Sequence, residues 1–244
     1  MDKDLAKFIK DKKSLPLDPK LVESIMKNSI SGLYYLQRIF GFDHRDIKLE
    51  NLLMKGEVSK LCDFNVSKKT MGHTLMASAI VGTFEFLAPE LRELNDRIGP
   101  IIGEQINWGK ADMFSLGIVA LCMMNPKQCI GNILLNKSKL EASKIIADIS
   151  KSKVYEEWMC SLIEKMIIWD YRSRIDKAQA FEDVYQHMKE IIQQKKERED
   201  SLEKEIKKLE DNIKHLKEEK SNVHQEISTL LSELEQVYIK NLYY

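Results

Sequence analysis

Four side chains in one short stretch, Asp46, Lys48, Asn51 and Asp63, together suit the transfer of a phosphoryl group. Asp46 can accept a proton from an attacking hydroxyl. Asn51 and Asp63 offer oxygen, the donor that Mg²⁺ prefers. Lys48 brings a positive charge to a transferring phosphoryl group. Such chemistry asks mainly for positioning and electrostatics, and these residue types supply both. Asp46 alone would read as a turn or cap residue. The fixed spacing of the others around it points to a site.

The four residues stand in two strings, His44-Arg45-Asp46-Ile47-Lys48-Leu49-Glu50-Asn51 and Cys62-Asp63-Phe64-Asn65. The first resembles the catalytic loop of eukaryotic-type protein kinases, H-R-D-L-x-x-x-N, and the second resembles their D-F-G magnesium motif. Two further family motifs follow in order, GTFEFLAPE at residues 82–90 and DMFSLG at residues 112–117.

The resemblance implies a serine/threonine kinase that uses ATP and Mg²⁺ and acts on a protein substrate. It makes Asp46 the base, Lys48 the phosphate contact, and Asn51 and Asp63 the metal ligands. Thr83 is expected to pack against Asp46 and Lys48. Leu53 is expected to floor the adenine pocket, although plain core is its other reading. Asp112 should brace the catalytic-loop backbone, and Glu90 should pair with Arg174. Arg45 marks the subset whose activation segment is ordered by a phosphate. Ser78 is the nearest candidate acceptor, with Thr70 and Thr74 behind it, and an ordinary exposed serine is the plainer reading. Asn65 stands where the family has Gly, and asparagine is the next most tolerant residue of positive φ.

The elements that must position these residues are also legible. Residues 4–10 place Leu5, Phe8 and Ile9 on one helical face. Asp18 and Pro19 read as the N-cap and first position of a long helix to about Phe40. Leu52 to Lys55 and Ser59 to Cys62, around Gly56, read as a hairpin with the catalytic loop on one side and Asp63 on the other. Residues 115–124, SLGIVALCMM, read as a buried helix, and residues 125–168 are helical in composition.

After about Tyr185 the composition turns to Glu, Lys and Gln. Leu202, Leu209, Leu216 and Leu230 fall at d of a heptad, with Ile206, Ile213 and Ile227 at a. Ile at a with Leu at d favours a parallel dimer, and Lys220 at a discourages higher oligomers. A single charged helix folded back on the lobe is the competing reading. The expected architecture is therefore mainly α. Residues 1–185 form a kinase-like C-terminal lobe with a small β-hairpin, and residues 186–244 form a long coiled-coil helix. Residues 200–238 join a second copy or a hetero-partner.

The formal net charge is zero, which makes no case for nucleic-acid binding. Four scattered cysteines fit a reducing compartment. No stretch reaches the length of a membrane span. The chain reads as soluble and cytoplasmic. It has ten glycines and no G-x-G, and no string like V-A-I-K. The N-terminal lobe is thus expected to be absent from these residues, leaving His44 and Phe64 uncovered and activity impaired. The alternative is a non-catalytic, pseudokinase-like scaffold that dimerises through its coiled coil.

Overall fold

The computed structural model describes residues 3–13, 15–70, 75–76, 80–96, 105–127 and 139–242. These are mainly helical with a small antiparallel sheet. The chain divides into two compact units, Met1–Gln186 and His187–Tyr244.

In the first unit, α1 (Leu5–Asp11) is capped by Asp4, whose carboxylate accepts the Lys7 N–H. Its Leu5 and Ile9 are fully buried. Helix α2 (Pro19–Phe40) begins as its sequence indicates. The Asp18 side chain accepts from the Lys20 and Leu21 amides, and Pro19 sits where no N–H is needed. It ends at Gly41, whose left-handed φ of 74° closes the last turn. Val22, Ile25, Met26, Ile30 and Leu33 form its buried stripe. After α3 (Pro89–Asn95) comes α4 (Trp108–Met124), in which every residue except Lys110 is buried. A helix apolar on all sides belongs at the centre of a core. The unit continues with α5 (Lys139–Ser152) and α6 (Glu157–Met166), and α7 (Lys177–Leu242) begins within it.

The catalytic loop lies between β2 (Phe42–Asp43) and β3 (Leu52–Lys55). β3 turns at Gly56, φ 58°, into β4 (Val58–Leu61), one residue earlier than the hairpin expected at Ser59. A third strand, β1 (Lys3–Asp4), pairs antiparallel with β3 and sets Asp4 opposite Leu53. β2 pairs with β5 (Lys68–Lys69) at the start of the activation segment, and β6 (Leu75–Met76) pairs with β7 (Gln105–Ile106). Strand alternation buries Leu52 and Met54 and turns Leu53 to the other, half-open face.

In the second unit, the heptad positions are open. Leu202 is 41 % exposed and Leu230 63 % exposed, with Ile206, Leu209, Ile213, Leu216 and Ile227 between them in sequence and similarly bare. Among the described residues no helix is long and apolar enough to cross a membrane.

Candidate active site

The catalytic loop is held by its backbone before its side chains act. Arg45 has φ 72°, a conformation most side chains avoid. Asp112, from the first turns of α4, spans that bend: Oδ2 accepts the His44 N–H and Oδ1 the Arg45 N–H, each at 2.8 Å. This is the bracing role expected of Asp112. The Arg45 guanidinium lies 4.2 Å from the centroid of the Trp108 ring, a cation–π distance. Burial pushes its pKa below the ordinary guanidinium value, with Asp112 and Asp43 pulling the other way.

Asp46, Lys48, Asn51 and Thr83 form one closed network. Asp46 Oδ1 accepts both the Thr83 N–H, at 2.9 Å, and the Thr83 hydroxyl, at 2.8 Å. Asp46 Oδ2 accepts from Asn51 Nδ2 at 3.1 Å and pairs with Lys48 Nζ at 3.0 Å. Lys48 Nζ also donates to Thr83 Oγ1 at 2.9 Å. Burial alone would raise the Asp46 pKa. The hydrogen bonds from Lys48 and Thr83 and the Lys48 charge outweigh it and hold the carboxyl below the usual range. Asp46 is therefore ionised at neutral pH, as a base must be. Its four acceptor positions are filled, so any further donor would have to displace one of these partners.

The donor set suits Mg²⁺. Asn51 spends its amide nitrogen on the Asp46 carbonyl, at 2.8 Å, and on the Asp46 carboxylate, which leaves Oδ1 uncommitted. Asp63 is exposed, with φ 62°, and among the described residues its carboxylate has no hydrogen-bond or ion-pair partner. One carboxylate and one amide oxygen, completed by phosphates and water, are what this hard cation takes. Among the described residues no group of three or more His, Cys, Asp or Glu side chains is gathered for a metal.

Several expectations need correction. His44 is not uncovered: it is fully buried, 5.0 Å from the Phe64 ring by centroid. Its Nε2 lies 3.0 Å from the Cys62 carbonyl, which can only accept, so Nε2 carries the proton and Nδ1 accepts the Asp46 N–H. Phe64 is open, at 48 %, beside a groove that Tyr35 and Phe40 also line. Asn65 needs no left-handed backbone; the positive φ falls on Asp63 instead. Thr70 is not available to a modifying enzyme, because it is buried and its hydroxyl donates to Asp43 Oδ2. Thr74 and Ser78 lie outside the described residues.

Gly82 joins the activation segment to this network. Its φ is 112°, and an added Cβ would lie 2.7 Å from the Arg45 carbonyl oxygen. Gly82→Ala is expected to destabilise the first unit by about 1–3 kcal/mol, the range for one residue forced into a sparse backbone region. Urea unfolding followed by tryptophan fluorescence reads this; an unchanged midpoint would mean the loop can shift at no cost.

The sequence profile of the protein kinase domain matches residues 1–187. A probable serine/threonine-protein kinase of Encephalitozoon cuniculi is 27% identical over 164 residues, 67% of this chain and 26% of its own length. Mitogen-activated protein kinase kinase 2 of Arabidopsis thaliana is 34% identical over 119 residues, 48% of this chain and 29% of its own. Dual specificity protein kinase Ttk of Danio rerio is 26% identical over 193 residues, 76% of this chain and 19% of its own. The chain thus covers less than a third of the length of these relatives. It belongs to the eukaryotic-type protein kinase superfamily, serine/threonine type.

Proposed function

We propose that this protein transfers the γ-phosphoryl group of MgATP to a serine or threonine hydroxyl of a protein substrate. The observation that carries this reading is the closed Asp46–Lys48–Asn51–Thr83 network, together with the uncommitted Oδ1 of Asn51 and the exposed carboxylate of Asp63. Bound Mg²⁺ would neutralise phosphate charge, held by Asn51 Oδ1 and Asp63. Asp46 orients the hydroxyl and takes its proton. Lys48 places its charge against the moving phosphoryl group, and Thr83 holds both side chains in register. Leu53, on the open face of β3, offers an apolar floor for adenine.

Residues 1–244 contain no G-x-G string to fold over the phosphates. Assayed by itself, this polypeptide is therefore expected to transfer slowly. The test is radiolabel transfer by residues 1–244 beside Asp46→Asn. The substitution is expected to lower the residual rate by about 10²–10⁴-fold, the usual contribution of a positioned acid or base. Transfer that is indifferent to Asp46 would refute the reading.

A second reading has its own support. The bare heptad stripe of α7 favours a scaffold that pairs two kinase-like lobes through residues 200–238 without catalysis. A paired chain with no Asp46-dependent transfer under any nucleotide and metal condition would favour it.

A further inference from the structure

Lys177 stands in the first turn of α7, 134 positions from Asp43, and it is among the largest fully buried side chains of the first unit. Lysine is almost never fully buried unless it is paired. Here it is paired twice: Nζ lies 2.5 Å from Asp43 Oδ1 and 2.8 Å from Asp112 Oδ2. Both carboxylates are buried as well. Asp43 also accepts from Gln37 Nε2, at 2.9 Å, and from the Thr70 hydroxyl. The Oδ2 of Asp112 that meets the lysine is the same atom that accepts the His44 amide.

We infer that Lys177 is a positioning residue of the catalytic loop, acting through Asp112 on the His44–Arg45 backbone and so on Asp46. It rests on the reading of Asp46 as the base, but its physics does not. A non-glycine residue at φ 72° persists only when its surroundings over-determine it. Asp112 supplies that constraint as an acceptor on both oxygens. A carboxyl that takes up a proton becomes a donor on one oxygen and loses part of that capacity. Two carboxylates in one buried site without a cation drive one of them to do so. The charged groups facing Lys177 are Asp43 and Asp112, and the Arg45 guanidinium interacts with the same two carboxylates. Burial favours the neutral amine of Lys177, but the two aspartates override it and raise its pKa above the ordinary lysine value. The lysine charge thus offsets the two carboxylates while both Asp112 oxygens accept from the His44–Arg45 backbone.

An ion pair that merely staples α7 to the lobe would affect global stability and nothing local to His44. The experiment therefore reads the loop directly, on the full chain. Amide hydrogen exchange is resolved over the Asp43–Asp46 segment and compared with the core of α4. The variants are Lys177→Met and the double variant Asp43→Asn with Lys177→Met, which removes the cation and one carboxylate together. In Lys177→Met the His44 and Arg45 amides should exchange at least about tenfold faster relative to α4. In the double variant their protection should return to the native level, because Arg45 then balances the remaining Asp112 charge. A folded Lys177→Met with native exchange at His44 and Arg45 overturns the proposal. So does a double variant that fails to fold or keeps the fast exchange. If Lys177→Met does not fold, the double variant alone decides. No readout is phosphate transfer, so failure here and failure of the kinase reading are separate results.

Discussion

Arg174→Met should cost the first unit about 3–5 kcal/mol, the range for breaking a buried ion pair from one side. The pair is as expected from sequence: Arg174 Nη1 donates to Glu90 Oε1 at 2.8 Å and Nη2 to Glu90 Oε2 at 2.9 Å. The Arg174 side chain is wholly buried, while that of Glu90 keeps 18 % exposure, which places the expected cost toward the lower end of the range. The guanidinium does more than pair. Nε donates to the Ile168 carbonyl, Nη1 also to that of Lys110, and Nη2 also to that of Trp169. Guanidinium has five N–H donors, and all are spent here. A lysine has three donors and no fork, so Arg174→Lys should recover little of the loss. Trp108, Trp158 and Trp169 all lie in the first unit, so tryptophan fluorescence reports its unfolding and not that of the second. With a urea dependence of about 1–3 kcal/mol per molar, the midpoint should fall by at least about 1 M. A shift below about 0.3 M would show the pair to be dispensable.

The full chain should sediment as two copies, and Ile213→Asp with Leu216→Asp should return it to one. The motive is the apolar stripe of α7, where Ile213 is 51 % and Leu216 61 % exposed. The 66-residue helix would be roughly 100 Å long at 1.5 Å per residue. A helix that long draws its stability from packing an apolar face rather than from propensity. Two carboxylates at the a and d positions put charge inside the seam of each strand. Each should weaken association by well over tenfold, so the pair should raise the dissociation constant by at least about 10²-fold. Lys220→Ile should strengthen association and admit larger assemblies, since it removes the charge that pairing would bury in the seam. Sedimentation equilibrium decides. A single copy at high micromolar concentration would exclude pairing with a second copy and leave the folded-back helix or a hetero-partner.

Much of the site was legible because its residues are close in sequence or fall in ordered motifs. Asp46, Lys48 and Asn51 share one loop, and Thr83, Asp112, Glu90 and Arg174 sit in strings with recognisable spacing. Caps and stripe of α2 were equally plain, since Asp18-Pro19 and Gly41 act locally. What escaped lacked a local signal. The two residues of β1 are too few to carry an alternation. Lys177 sits in a helix crowded with lysines, and only tertiary packing separates it from those in water. Thr70 resembled an open acceptor because nothing nearby in sequence reveals that Asp43 holds its hydroxyl. Asn65 suggested a backbone bend that falls on Asp63 instead, because a residue type reports tolerance of a conformation rather than its use.

The two residues of β1 bear on laboratory handling. Lys3 and Asp4 hydrogen-bond along β3 opposite Met54 and Leu53. The described chain therefore enters the sheet at an edge strand that borders Leu53, the proposed adenine floor. A histidine tag or an uncleaved linker at the N-terminus would be joined to that edge strand rather than to a free end. Removing such a tag before any nucleotide titration keeps that edge of the sheet as the protein itself has it.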